Sequence, residues 1–323
     1  MDNGRRKKIS IMVPCFNEVD NVVPMADAIR KIMIEELSSF DYEILFIDNC
    51  SSDGTRDKIE YICSNDKNVK AIFNVTNFGQ FNSPFYGLCQ TTGDCAIAIS
   101  CDFQDPVEMI PKLVEQWQSG HRIVSCVKSS SEESRWLYFL RTIYYKVMNK
   151  MSDIQFIEHF TGFGLYDKSF IKLLRRLDDN LPFIRGIVGE YGNGFNMTTI
   201  EYKQEERRTG KTHNNFYSLY DAAMLSFTSY TKLGLRLAAF CGYTTAGVSM
   251  ILAVIFLIMK VLRWSEFNAG MAPIVIGMFF LGGTILAFLG FMGEYIMNIN
   301  KRVINRPVVV EERRINFDEE SKE

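Results

Sequence analysis

The chain has 323 residues, enough for one large domain or one domain with additions, and its 36 Lys and Arg nearly balance its 38 Asp and Glu, leaving a formal charge of −2. That balance gives no bulk attraction to nucleic acid. Eight cysteines without a CxxC pair, together with only three histidines, exclude the usual zinc spacings. The charged start, MDNGRRKK, is expected to lead straight into a strand and not to act as a secretory signal, which fits thiols kept reduced in the cytoplasm.

Residues 8–127 alternate strand-like and helix-like segments. Ile9, Ile11 and Val13 alternate and stop at Pro14; residues 22–37 have helical spacing; residues 42–48 (YEILFID) are strand-like again; and SSDGT opens a helix running to about Ser64. Residues 69–74, 95–100 and 121–127 are further expected strands. This rhythm predicts an α/β fold with a mostly parallel sheet. Ligands of such sheets gather beyond the carboxyl ends of the strands. The polar groups to weigh are therefore PCFNE, DNCSSDGT, NVTNFGQ and SCDFQD.

Residues 134–151 read as a helix carrying Arg135, Arg141 and Lys146, and TGFGLYD (161–167) reads as a strand followed by a helix. Residues 214–236 mix aromatics with polar groups, as in a helix lying in a membrane interface, although a soluble packing helix fits as well. The segments 237–259 and 271–293 carry no charge. Each is long enough for a bilayer core, which takes about 20 apolar residues in helical form. The short connector predicts a transmembrane hairpin spanning 237–299. Lys232 and Arg236 before it, and Lys301, Arg302 and Arg306 after it, outnumber Lys260 and Arg263, which are offset by Glu266. The positive-inside bias therefore puts residues 1–213 and the tail 300–323, which is polar and expected to be flexible from Glu311, in the cytoplasm.

SCDFQDPVE offers two readings. Asp105 at N-cap, Pro106 at N1 and Glu108 at N3 come close to a capping box, so a structural role suits Asp105 and Glu108 at least as well as a ligand role. Asp102 and Gln104 lie before that cap. A hard cation such as Mg²⁺ or Mn²⁺ takes oxygen ligands, often one or two from protein and the rest from substrate phosphates, so Asp102 with Gln104 would suffice beside a diphosphate. Asn17 and Glu18, after Pro14, offer hydrogen bonds to a base or ribose, or serve a turn and helix cap. Asp48 is placed to accept from a ribose hydroxyl or base N–H. Arg135, Arg141 and Lys146, with Arg207, Arg208 and Lys211, form two basic groups that suit either solvated faces or a lipid phosphate.

Taken in order, VPCFNE, DNCSSDGT, NFGQ, SCDFQDPVE, TGFGLYD and RRTGKTHNNFY, then two spans, resemble glycosyltransferase family 2 with its GT-A fold. The closer resemblance is to bacterial polyprenyl-phosphate glycosyltransferases related to dolichol-phosphate mannosyl synthase. It runs to about Asn316; the motifs are loose singly, but their joint order and spacing are specific. It implies a UDP- or GDP-sugar donor, a divalent metal (Mg²⁺ or Mn²⁺), inversion at the sugar carbon, a polyprenyl-phosphate acceptor, a membrane location and, in many relatives, homo-oligomers. Carried over by the same resemblance, Pro14, Asn17, Glu18, Asp48, Asn77, Gly79 and Ser100 match donor positions, and Asp102 and Gln104 match the metal and diphosphate positions of DADLQDPPE. Arg207, Gly210 and Thr212 match RxxGxS, a loop near both substrates' phosphates, and Arg135 and Arg141 match acceptor-phosphate positions.

This sequence departs from the family at Ser100, where the metal motif begins with Asp, at Asn49 (followed by Cys50), where DDGS has its second acid, and at Phe163, where many relatives have TGDF. A phosphate monoester loses its second proton near pH ~6 and needs no strong general base. The demanding step is departure of the nucleoside diphosphate, a role for Asp102, Gln104 and Arg207. Two alternatives stand beside this reading: a hydroxyl acceptor on a lipid-linked saccharide, with Glu158 as candidate base, and a decayed membrane-anchored scaffold.

Overall fold

Alternating side chains along the first strands build a sheet with two apolar faces. In β1 (Lys8–Cys15), Ile9, Ile11 and Val13 join one core and Met12 the other. β2 (Asp41–Asp48) sends Ile44 and Phe46 one way and Leu45 and Ile47 the other, and β3 (Val69–Asn74) splits Ala71 and Phe73 from Ile72. Such strands need helices on both sides. α1 (Val22–Glu35), with its stripe Val22, Met25, Ala26, Ile29, Ile32 and Met33, covers one face with α2 (Thr55–Asn65) and α4 (Met109–Gln118). α3 (Gly79–Gln90), α5 (Lys168–Arg176) and α6 (Ile184–Tyr191) cover the other.

The structure, a computed structural model, describes residues 5–130, 146, 148–152, 154–177, 179–209, 216–231, 233–262, 271–304 and 306–317. With β4 (Cys95–Ala98), β5 (Ile123–Ser130), β6 (Phe160–Asp167), β7 (Met197–Lys203) and β8 (Glu311–Ile315), the sheet order is β7-β5-β6-β4-β1-β2-β3-β8. Four of its seven pairings are parallel, as the sequence predicts. Gly164 lets β6 lie against β5, since a Cβ there would sit 2.4 Å from the Val124 carbonyl oxygen. From β1 the chain winds one way to β2 and β3 and the other way to β4. A crevice therefore opens between the carboxyl ends of β1 and β4.

The chain divides into two compact units, the first comprising Met1–Asn149, Ile154–Asn214 and Ile304–Glu323. The tail expected to be flexible thus belongs to the α/β unit. β8 pairs antiparallel with β3, the Val75 N–H donates to the Val310 carbonyl at 3.1 Å, and Asn316 Nδ2 donates to the Cys63 and Val69 carbonyls at 2.7 Å each. EERRI reads as solvated charge in sequence, but β3 presents an open ladder edge, and charged residues suit the strand that closes it.

The second unit, Lys150–Asp153 with Asn215–Val303, contains α7 (Phe216–Tyr230), α8 (Leu233–Leu262) and α9 (Met271–Val303). The Phe227 ring meets Phe291 edge-on at 5.8 Å, and the Tyr295 hydroxyl donates to the Thr231 carbonyl at 3.3 Å. A Cβ on Gly234 would lie 2.2 Å from Phe291, so only glycine lets α8 start this close to α9. Phe240, Tyr243, Met250, Ile274, Phe280 and Leu286 are exposed. Among the described residues one stretch, Phe280–Val303, is long and apolar enough to cross a membrane.

At the amino ends of β1 and β2, the buried Glu43 carboxylate accepts from Lys8 Nζ at 2.7 Å, Ser10 Oγ at 2.6 Å and the Thr92 N–H at 2.7 Å. Burial pushes this carboxyl up, but Lys8, Ser10 and Thr92 outweigh burial and hold it at about 2, against an ordinary 4.5. A carboxyl lowered on folding contributes its stability above the unfolded value and loses it as the pH falls to the folded one. Unfolding free energy should therefore drop by about 3 kcal/mol as the pH falls from about 4.5 to about 2. Glu43→Gln should remove that part of the slope, read from urea unfolding of the detergent-solubilised protein across this range.

Candidate active site

Three non-glycine residues with left-handed backbone stand just past the carboxyl ends of adjacent strands: Asn17 (φ 55°) after β1, Cys50 (φ 66°) after β2 and Phe103 (φ 61°) after β4. Such turns cost energy and persist where surrounding contacts fix them. The Asn17 N–H donates to Ser51 Oγ at 2.9 Å, while its own Oδ1 accepts from the Ser52 N–H at 3.0 Å. Phe103 is buried, and the Arg208 guanidinium covers its ring at 4.0 Å.

These turns bring together side chains from three distant stretches. The Glu18 carboxylate accepts from Asn21 Nδ2 at 2.6 Å and pairs with Arg207 Nη2; Arg207 Nη1 lies 3.8 Å from Asp102 Oδ2. Arg207 Nε donates to the Thr209 carbonyl at 3.0 Å, and Thr209 Oγ1 donates to Asn21 Oδ1 at 2.8 Å. Burial raises the Glu18 carboxyl, which Asn21 and Arg207 counter and the charge of Asp102 reinforces. Burial likewise raises Asp102, which the Gln104 N–H and Arg207 counter. Two carboxyls that burial raises thus share one guanidinium across the β1/β4 crevice.

Asp102 keeps 13% of its side chain exposed; one oxygen accepts from the Gln104 N–H at 3.2 Å, and the other faces Arg207 at 3.8 Å. No group of three or more His, Cys, Asp or Glu able to hold a metal occurs among the described residues. This donor set fits a hard cation that takes most of its oxygens from a diphosphate, and it does not fit an ion held by protein alone.

The helix after SCDFQDPVE begins at Met109, so Asp105 is not its cap; Glu108 occupies that position, without a side-chain cap bond. Asp105 turns inward instead. One of its oxygens accepts from Ser100 Oγ at 2.7 Å and the Ser100 N–H at 3.2 Å, the other from the Tyr202 hydroxyl at 2.8 Å. The Ser100 hydroxyl is thereby committed to Asp105. Phe163, in the place of a family carboxylate, is buried with its ring edge-on to Tyr202 at 5.3 Å. Tyr202 lies in β7, and no sequence motif marks it for this role.

Asp48 is fully buried and offers no surface to a ligand; its Oδ2 accepts from Arg56 Nε at 2.8 Å and the Ser51 N–H at 3.1 Å. Asn49 ties β2 to the next loop, accepting from Asn74 Nδ2 at 3.1 Å and the Phe78 N–H at 2.9 Å while donating to Asn77 Oδ1 at 2.8 Å. Asn77 Oδ1 also accepts from the N–H of Gly79, where α3 starts. Pro14 is half-buried near the end of β1. Glu158 lies just before β6 and has no hydrogen bond or ion pair with Asp102, Glu18 or Arg207. Arg135, Arg141, Gly210, Lys211 and Thr212 lie outside the described residues.

Parallel strands wound both ways from β1, with an acidic and basic cluster at the switch point, define a GT-A-like α/β domain. The model of glycosyl transferase family 2 matches residues 10–192, and the chain belongs to that family. It is 31% identical over 301 residues to the bactoprenol glucosyl transferase of Shigella phage SfX, covering 93% of this chain and 97% of that one. It is 30% identical over 307 residues to the prophage bactoprenol glucosyl transferase homolog of Escherichia coli (strain K12), covering 95% and 99%. Among solved structures, glucosyl-3-phosphoglycerate synthase from Mycobacterium tuberculosis in complex with UDP is similar at 16% identity and TM-score 0.47, over 69% of this chain and 79% of that one.

The Asp105 network predicts an outcome that separates it from a helix cap. Asp105→Ala leaves the Ser100 and buried Tyr202 hydroxyls without their acceptor, at about 1–3 kcal/mol for each buried group stranded. The expected loss in chemical unfolding is about 3 kcal/mol, against about 1 kcal/mol for a lost cap. Glu108→Ala should stay within about 0.5 kcal/mol of wild type.

Proposed function

We propose that the protein transfers a sugar from a nucleotide sugar to a polyprenyl phosphate at a bacterial cell membrane. The observation that carries the acceptor chemistry is the state of the carboxylates around Asp102. Glu18 is engaged by Asn21 and Arg207, Asp105 by Ser100 and Tyr202, and a phenyl ring stands at Phe163. An alcohol acceptor would need a base here. A phosphate monoester is already an anionic nucleophile at neutral pH. Near end-to-end similarity to relatives named bactoprenol glucosyl transferase supports the same acceptor and makes UDP-glucose the first donor to test.

In this reading the acceptor's phosphate oxygen bonds to the anomeric carbon from the face opposite the leaving group. The bond to the diphosphate oxygen breaks, its electron pair stays on the nucleoside diphosphate, and the sugar carbon inverts. Asp102 and Gln104 would hold Mg²⁺ or Mn²⁺, which when bound neutralises charge developing on the diphosphate. Arg207, oriented by Glu18, offers the same oxygens a fixed guanidinium. Pro14, Asn17, Asn77 and Gly79 line the donor side, and Arg135, Arg141 and Thr212 are assigned to the acceptor phosphate. Asp48 and Ser100 act through the loops they fix and not by contact with the donor.

The exposed apolar side chains of α8 and α9 support burial of both helices in lipid as a hairpin, and Lys301 and Arg302 in the last turn of α9 support a cytoplasmic α/β unit.

Purified protein supplied with labelled UDP-glucose, Mg²⁺ or Mn²⁺ and undecaprenyl phosphate should move label into the organic phase, and EDTA should stop it. Label appearing only when a saccharide primer is added would sink the phosphate-acceptor reading. Asp102→Asn should lower transfer by about 100-fold or more at an unchanged melting temperature; normal turnover in that variant would remove the metal assignment.

A further inference from the structure

We propose that Arg56 is a positioning residue for the donor loops and that the C-terminal strand β8 holds it in place, so that the chain's last strand is part of the donor site's support. The inference rests on the donor-side reading above. Arg56, the second residue of α2, spreads its guanidinium over three partners. Nε donates to Asp48 Oδ2 at 2.8 Å, Nη2 to the Asn74 carbonyl at 2.7 Å and Nη1 to Glu312 of β8 at 2.8 Å. The fork also lies 5.5 Å from the Phe73 ring centroid.

Each of the first two partners leads to a loop of the candidate site. From Asp48 the path runs through the Ser51 N–H to the Ser51 hydroxyl, which accepts from the Asn17 N–H at 2.9 Å. From Asn74 it runs through Nδ2 to Asn49, and from there to Asn77, Phe78 and Gly79. Among the described residues Arg56 is the one side-chain cation paired with the buried Asp48 carboxylate, and the Asp48 Oδ1 has no hydrogen-bond donor among them. A buried carboxylate with one cation is sensitive to where that cation sits. The planar guanidinium reaches all three acceptors at once, and a lysine ammonium cannot reproduce that fork.

The third partner gives β8 its part. Glu312 sets the outer arm of the fork, Arg313 pairs with Glu60 of α2 and lies 4.7 Å from the Phe73 ring centroid, and Tyr86 donates to Glu311 at 2.9 Å. The strand thereby fastens α2 and α3, the two helices that begin at the donor loops.

The test compares Arg56→Lys and Glu312→Gln with wild type, reading UDP binding by calorimetry and donor KM and kcat in the lipid-transfer assay. Arg56→Lys should raise the UDP Kd and donor KM together by about tenfold with kcat within about twofold, the pattern of displaced binding groups and not of lost chemistry. Glu312→Gln, whose side chain is 45% exposed in wild type and whose loss leaves the core intact, should shift both by about threefold, and the gap should narrow in high salt as the wild-type ion pair is screened and wild type moves toward the variant. A folded Arg56→Lys with wild-type Kd and KM overturns the proposal. If Arg56→Lys fails to fold, Glu312→Gln decides, and an unchanged Kd there overturns it equally. Absence of transfer in wild type would count against the proposed function alone, because the UDP Kd needs no acceptor.

Discussion

One guanidinium, Arg207, is shared by two carboxylates that burial drives toward their neutral forms. Without it, Glu18 and Asp102 would face each other across the crevice as like charges in a medium less polarisable than water, where such repulsion is several times its value in bulk solvent. The fold makes this meeting unavoidable. β1 and β4 are parallel neighbours, so residues just beyond their ends come together although 84 positions separate them in sequence (102 − 18). The loop after β7 delivers the cation. It is pinned to the β4 turn by the Glu205 N–H, which donates to the Gln104 carbonyl at 3.2 Å, and by Arg208 lying over Phe103. A donor diphosphate entering such a site meets one cation already committed to two anions. In the proposed function Asp102 and Gln104 would hold a divalent ion beside that diphosphate, and its charge would offset the excess of anions that Arg207 alone leaves.

Position along the chain makes some of this legible in sequence. Asp102 and Glu18 stand out because each follows an apolar strand in an α/β rhythm, and general topology places ligands beyond strand ends. Arg207 is marked only by the resemblance of its loop to the family's RxxGxS, since its charge alone suits a solvated face as well. Other features are hidden because local chemistry points elsewhere. Asp105-Pro106-Val107-Glu108 has the form of a helix start, yet the helix waits until Met109 and Asp105 spends its oxygens on Ser100 and Tyr202, a partner 97 residues away. No local pattern encodes a bond of that reach. β8 is hidden for the opposite reason, since EERRI has few apolar residues and its strand character comes from the open edge of β3 and from ion pairs with α2.

The helical unit follows the other half of the same solvent logic. A sheet domain hides its apolar residues between layers, whereas α8 and α9 leave phenylalanines, leucines and isoleucines outward. Within the unit the contacts that do form are specific: Gly234 admits Phe291, and the Tyr295 hydroxyl caps the Thr231 carbonyl. Length and lack of charge are readable directly, and the boundary is not. α8 begins at Leu233, within the segment expected to lie along the interface, because helix propensity carries through the aliphatic residues that precede the charge-free run.

The departures from the family pattern bear on whether the site has decayed. Decay relaxes constraint and leaves polar groups without partners or cavities where side chains were lost. Here the serine at position 100 bonds Asp105 through both its hydroxyl and its amide, and Asn49 makes four hydrogen bonds that join the ends of β2 and β3 to the start of α3. Phe163 fills its place against Tyr202, whose hydroxyl closes the same Asp105 network. Each of these residues is bonded or packed by neighbours that match it, so the three positions serve the architecture around Asp102. That division suits the proposed function, in which Asp102 and Arg207 would face the diphosphate and an already ionised acceptor would need no base.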